Sequence, residues 1–210
     1  MGRSYVAIGD SLTVGVGARL FGGGFVERYT AMLQKRRQIE VETSVFAKSG
    51  LTTEEIFQLF RRPDVRCAIA KADIITITGC GNDLVQAIQQ YEEGVDEKKL
   101  QQASMHCQQN FNSMIREIAN IKRGQHQSYT IYLLNLYNPF PHIPLAERWL
   151  QQYNAHLRLL AVNPHVEVVE IDQVFKGHET EYLSIDQFHP NHKGYQAIAN
   201  VLFQQSANQL

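Results

Sequence analysis

Three residue types at two distant places could together break an ester. Ser11 stands in Gly9-Asp10-Ser11-Leu12, directly after the apolar run Val6-Ala7-Ile8, and Asp186 and His189 share the short stretch Asp186-Gln187-Phe188-His189-Pro190. A serine hydroxyl is a poor nucleophile until a base removes its proton, and free imidazole, with a pKa of about 6.5, suits that task at neutral pH. The imidazole in turn needs a carboxylate that fixes its tautomer and stabilises its protonated form. One turn carrying Asp186 and His189 supplies both. Acyl transfer also needs donors aimed at the developing oxyanion; the backbone amides of Ser11 and Gly50 and the side-chain amide of Asn82 would provide them. Taken by itself Ser11 has other readings, a helix N-cap or a phosphate ligand at a glycine-rich strand end.

The elements that must position these groups follow from pattern. Val6-Ala7-Ile8 suits a strand buried on both faces. Residues 25–37 read as a helix with Phe25, Tyr29, Met32 and Leu33 on one stripe, and 39–46 as a second strand. The turn 48–51 follows, then a helix starting at Thr52 or Thr53, and another from Pro63 to about residue 70. Residues 73–78 (DIITIT) are a third strand, 84–94 are ambiguous, and 96–123 form one long amphipathic helix ended by Gly124. Strands at 129–136 and 166–171 flank a helix at 144–161, and an irregular segment, 172–190, leads to a last helix at 191–204. Strands and helices alternating in this way make a parallel sheet covered on both faces, here one three-layer α/β domain spanning residues 1–210. Ser11, Gly50 and Asn82 end its first three strands and so open onto one edge, where open α/β sheets bind ligands.

Composition narrows the function further. A net charge of −1 over 210 residues offers no basic face for nucleic acid or an anionic membrane. No apolar run reaches transmembrane length, and Met1-Gly2-Arg3 leads straight into a strand without a signal peptide, so a cytoplasmic place is expected. Cys67, Cys80 and Cys107 are odd in number and widely spaced, which predicts free, buried or half-buried thiols in a reducing compartment. His189 and His192 have metal-like spacing without a third ligand, so no metal is expected; the histidines at 106, 126, 142, 156, 165 and 178 sit in polar settings and read as solvated. Gly15-Val16-Gly17 lacks the third glycine of a dinucleotide fingerprint and the lysine of a P-loop. No G-x-S-x-G elbow occurs, against an ordinary α/β-hydrolase.

Gly9-Asp10-Ser11, Gly50, Asn82 and Asp186-x-x-His189, in this order, resemble the GDSL or SGNH hydrolase family over nearly the whole chain. The resemblance implies a three-layer α/β/α sandwich, flavodoxin-like, with a five-stranded parallel sheet. It implies a cofactor-independent serine esterase or lipase: Ser11 as nucleophile and first oxyanion donor, Gly50 and Asn82 as the other donors, and Asp186 orienting His189. Two positions depart from the family's pattern. Cys80 stands at the glycine of its G-x-N-D block, and Val45 where asparagine is often found. The opening GDSLTVGVG looks like the lipase/acylhydrolases of Gram-positive bacilli, including a spore-associated phospholipase type.

Leu12, Val14, Val16, Tyr137, Phe140, Ile143 and Phe188 are expected near the serine as an apolar rim. Such a rim buries an acyl chain at about 0.8 kcal/mol per methylene, which points to a lipid-like or simple ester, with Gly15 and Gly17 leaving space beside it. Asp10 and Asp83 read as structural carboxylates, and Asp172, after the fifth strand, as the reserve acid. The alternatives are a carbohydrate or small-molecule acetylesterase or a thioesterase at the same site, a catalytically inactive binding protein of this fold, and a flavodoxin-like nucleotide binder. Oligomeric state is not legible.

Overall fold

The first strand buries both of its faces, as its composition requires. In the computed structural model, which describes residues 2–18, 22–38, 40–89, 97–125 and 128–206, strand β1 (Arg3–Gly9) sends Val6 and Ile8 to one face and Tyr5 and Ala7 to the other. The chain continues through α1 (Ser11–Val14), α2 (Phe25–Arg37), β2 (Val41–Ala47), α3 (Thr53–Leu59), α4 (Pro63–Lys71), β3 (Ile74–Ile77) and α5 (Gly81–Gln89). It then forms α6 (Glu97–Lys122), β4 (Thr130–Leu134), α7 (Pro144–Leu160), β5 (Val166–Val169), α8 (Ile171–Phe175), α9 (Glu179–Tyr182) and α10 (His192–Ser206).

These strands pair in parallel in the order β2-β1-β3-β4-β5. That is the flavodoxin-like order, whose switch point lies between β1 and β3. Ser11 follows β1 and Asn82 follows β3, so topology alone brings both to the edge of the sheet at that switch point. One face of the sheet packs Ile8, Ile75 and Ile77 under Ile56, Phe111 and Tyr153 of α3, α6 and α7. The other packs Tyr5, Ala7 and Tyr132 under Phe25, Phe175 and Tyr195 of α2, α8 and α10. The expected three layers are present. Phe111 is fully buried in the first of these cores, and truncating such a phenylalanine to alanine costs about 3–5 kcal/mol.

Local chemistry sets several boundaries. Thr52 and Glu55 form a reciprocal capping box at the start of α3, and Pro63 and Pro144 open α4 and α7, where a missing N–H costs nothing. β4 is shorter than its apolar pattern because Asn135 turns its side chain into a polar cluster with Glu170 and Asp172. Ile171, read as strand, begins α8, and the segment 172–190 contains most of α8 and all of α9. The ambiguous stretch is helical from Gly81 to Gln89; its remainder, the strand residue Ile39, the helix residue Asp96 and His126 lie outside the described residues.

Two expectations from composition are overturned. Cys80 and Cys107 are joined in a disulfide, their Cα atoms 5.7 Å apart, and Cys67 is free but exposed. The spacing of 27 residues concealed a pair that the packing of α5 on α6 brings together. Closing a loop of that length stabilises a fold by about 3–4 kcal/mol, and with the bond in place the thiols no longer argue for a reducing compartment. His156 and His165 are half-buried rather than solvated: burial pushes the His156 imidazole pKa down, and His165 stacks on Tyr129 with ring centroids 4.2 Å apart. Among the described residues, no helix is long and apolar enough to cross a membrane.

Candidate active site

β1 ends against β3, and the contact shapes the serine's turn. A Cβ on Gly9 would fall 2.1 Å from the Thr78 hydroxyl oxygen, so only glycine fits. The Thr78 hydroxyl donates to Asp10 Oδ1 (2.8 Å), and the same carboxylate oxygen accepts the Leu12 amide (3.1 Å). Asp10 therefore caps the short helix that begins with Ser11. Burial raises the Asp10 carboxyl pKa, opposed by the hydrogen bonds from Thr78 and Leu12. Its role as a structural carboxylate is as expected.

The second half of the site is a turn braced at both ends. Leu183 bridges to Pro190, the Ser184 amide donates to the His189 carbonyl at 2.8 Å, and Asn191 donates its side-chain amide to the carbonyls of Glu181 and Leu183. Within this turn Asp186 Oδ1 accepts from the Ser184 hydroxyl (2.7 Å) and from the amides of Phe188 (3.0 Å) and His189 (2.9 Å). Asp186 Oδ2 is left for His189 Nδ1 at 2.7 Å, and His189 Nε2 lies 3.0 Å from Ser11 Oγ. Partial burial raises the Asp186 pKa, but hydrogen bonds from Ser184, His189 and the two amides outweigh it and hold the carboxyl well below the usual carboxylate range. Two flanking contacts seat this turn against the serine's loop: Tyr195 donates its hydroxyl to the Val16 carbonyl (2.8 Å), and Tyr137 donates to that of Phe188 (2.7 Å).

Ser11, His189 and Asp186 thus meet in one hydrogen-bonded chain across 178 residues of sequence. Asp172, the reserve acid, is bonded instead to Asn135 and Arg158. Gly50 takes a left-handed φ of +88° in the turn after β2, and Asn82 Nδ2 donates to the Leu51 carbonyl at 2.8 Å. That bond joins Asn82 to the residue after Gly50, and neither Asn82 nor Gly50 is among the residues that line the cavity beside Ser11. Asp83 accepts the amide (2.9 Å) and hydroxyl (2.7 Å) of Thr53, the structural role expected of it.

A cavity of about 360 Å³ opens beside Ser11 and His189. Of the rim expected from sequence, Leu12, Tyr137, Phe140, Ile143 and Phe188 line it, whereas Val14 and Val16 do not. Gly15 and Gly17 serve backbone contact rather than substrate space: a Cβ would fall 2.8 Å from Gly24 Cα at Gly15 and 2.5 Å from the Pro190 carbonyl at Gly17. Sequence reasoning missed the deeper wall, which α5, α6 and α7 build from Leu84, Leu100, Trp149 and Leu150. Their helical periodicity was visible, but core-facing and cavity-facing residues share it. It also missed Ser184, for which no signal existed beyond its nearness to Asp186. Among the described residues no group of three or more His, Cys, Asp or Glu side chains could hold a metal ion, and His192 is exposed.

The chain is also similar to known proteins. Residues 7–197 match the GDSL-like lipase/acylhydrolase family. The chain is 48% identical over 202 residues to the spore germination lipase LipC of Bacillus licheniformis, covering 96% of this chain and 95% of that protein. The crystal structure of the lipase Lip_vut3 from a goat rumen metagenome superposes with a TM-score of 0.91 at 48% identity, covering 95% of each chain. The acetylxylan esterase Axe2 of Geobacillus stearothermophilus shares the fold alone, with a TM-score of 0.72 at 20% identity over 97% of this chain and 94% of that one.

Proposed function

The chain belongs to the GDSL-like lipase/acylhydrolase family, and from that premise we propose that it hydrolyses carboxylic esters of acyl or lipid-like substrates through an acyl-enzyme on Ser11. The observation that carries this reading is the Ser11–His189–Asp186 chain, with links of 3.0 and 2.7 Å, opening on an apolar cavity. Ser11 Oγ attacks the ester carbonyl while its proton passes to His189 Nε2, and Asp186 holds the imidazolium that forms. The amides of Ser11 and Gly50 and the second Nδ2 hydrogen of Asn82, the first being given to Leu51, stabilise the oxyanion. His189 returns the proton to the leaving alcohol. Water, deprotonated by His189 in turn, then releases the acid and regenerates the serine. No step calls for a cofactor. The reading takes residues 1–210 as one catalytic unit.

The wall of the cavity supports an acyl chain over a sugar acetate, because Leu84, Leu100, Trp149 and Leu150 offer dispersion and desolvation rather than hydrogen bonds. The relative named a spore germination lipase supports both a lipid ester as substrate and spore germination as the setting. The test is a panel of p-nitrophenyl esters from acetate to palmitate, run beside lysophospholipid, with fluorophosphonate labelling of the parent and of Ser11→Ala. Labelling lost in Ser11→Ala, together with a preference above acetate, is expected. Full hydrolysis by Ser11→Ala overturns the mechanism, an acetate optimum without lysophospholipid turnover turns the reading to an acetylesterase, and an unlabelled, inactive parent to a binding protein.

A further inference from the structure

Cys80 holds φ at +82°, the left-handed region that a residue with a Cβ rarely adopts. It sits at the head of α5: its carbonyl accepts the Leu84 amide at 3.1 Å, and Asn82 is the second residue of the helix that follows. The direction in which Asn82 leaves the strand end is therefore set by the backbone angles of Cys80. From there the Asn82 amide reaches the Leu51 carbonyl. Cys107, at the other end of the disulfide, lies on the buried face of α6 with Phe111 and Met114, on a helix that packs against α3, α4 and α7 as well as α5.

We propose that the Cys80–Cys107 bridge is a positioning device for the oxyanion turn, in which a covalent tie to α6 holds at Cys80 the left-handed backbone that a glycine would adopt unaided. This rests on the reading of Asn82 as an oxyanion donor. Without the tie, Cys80 relaxes toward negative φ and the first turn of α5 swings Asn82 away from the reacting oxygen.

Two variants that both lack the bridge separate positioning from bracing. Cys107→Ala leaves a cysteine at the left-handed position, whereas Cys80→Gly/Cys107→Ala puts there the one residue that adopts it freely. On a p-nitrophenyl ester, Cys107→Ala is expected to lose about tenfold in kcat with KM within about twofold, a loss of about 1.4 kcal/mol in transition-state stabilisation. The double variant recovers kcat to within about twofold of the parent. Bracing alone would lower Tm in both variants and leave their kcat values equal. Equal kcat in the two variants, or an undiminished Cys107→Ala, therefore overturns the proposal. Denatured parent alkylated without reductant should carry the label on Cys67 alone; label on Cys80 and Cys107 as well overturns it too. A parent inactive on every ester overturns the esterase reading and this one with it, while an active parent with an unaffected Cys107→Ala overturns only this one.

Discussion

The Ser184 hydroxyl donates to Asp186 Oδ1 at 2.7 Å, on the same carboxylate oxygen that accepts the Phe188 and His189 amides. Oδ1 is saturated by Ser184 and two amides, so Oδ2 is the oxygen left for Nδ1. Ser184→Ala keeps the amide bonds and removes one charge-assisted bond from a half-exposed group, which screening by water makes modest. The expected loss is about three- to tenfold in kcat with KM unchanged. Steady-state kinetics on a single ester checks it; an unchanged kcat would mean that the amides alone orient Asp186.

The pH profile should show no step from Asp186 on its acid side. His189 must be neutral to accept the Ser11 proton, so kcat/KM falls as pH falls. Asp186 adds nothing to that limb, because its depressed pKa keeps it ionised through the usual carboxylate range. The sign for stability follows: the Asp186 contribution is present above the unfolded carboxylate pKa and is lost only as pH falls through the lower folded one. A plot of log(kcat/KM) against pH should show no break from Asp186 down to about pH 4, near the free aspartate pKa. A break above that point that survives Asp10→Asn would show Asp186 titrating, because Asp10, raised by burial, is the other carboxyl beside Ser11.

Acyl preference should follow the cavity wall. Each methylene buried there gains up to about 0.8 kcal/mol, or roughly fourfold in kcat/KM, until the cavity is filled. Leu150 lines it from α7. Leu150→Gln places an amide in that wall, and its desolvation is expected to cut kcat/KM for an octanoyl ester about tenfold while the acetyl ester is unaffected. Equal losses on the two esters would place the acyl chain elsewhere.

A second titration concerns the fold rather than the site. Lys122 is buried and donates Nζ to the carbonyl of Ala70 (3.1 Å) and to that of Ala72. Burial, opposed by Asp73, pushes its pKa down to about 8. Between that value and the free lysine value of about 10.4 the unfolded chain binds the extra proton, so this group makes stability rise with pH. Lys122→Met removes the rise. The Tm of the parent should gain on that of the variant between about pH 8 and 10, and a constant difference across the window would show that Lys122 is not desolvated.

What was legible in the chain was legible for local reasons. Val6 to Ile8 suited a buried strand, Thr52 or Thr53 with Glu55 a helix start that the structure caps at Thr52, and Asp186 with His189 needed no long-range information to share a turn. The strand alternation placed Ser11 and Asn82 at one edge of the sheet, and the observed order β2-β1-β3-β4-β5 sets the strands they follow side by side. What escaped depends on which partner a residue finds across the fold. Cys80 and Cys107 look unpaired until α5 lies on α6, and Val14 and Val16 look like a substrate rim until their loop turns from the cavity. The outline of the site was a matter of motifs. Its walls and braces are a matter of packing.

Gly17 shows what that packing demands of the site. It holds φ at +94°, and a Cβ there would fall 2.5 Å from the Pro190 carbonyl and 3.4 Å from His189 Cβ. The obstacle is backbone, which cannot rotate aside as a side chain can. Gly17→Ala must therefore push the serine's loop and the histidine's turn apart, against the Tyr195 bond to Val16, or strain both. Because the Ser11–His189 contact of 3.0 Å bridges these same two segments, separation acts on it directly. A misplacement of about 1 Å at a reacting contact can cost about a hundredfold in rate, so kcat should fall at least tenfold while phosphonate labelling of Ser11 slows in parallel. Slowed labelling with a Tm only slightly lowered marks displacement of the catalytic contact, and parental labelling and turnover in Gly17→Ala would show that the two segments separate without disturbing it.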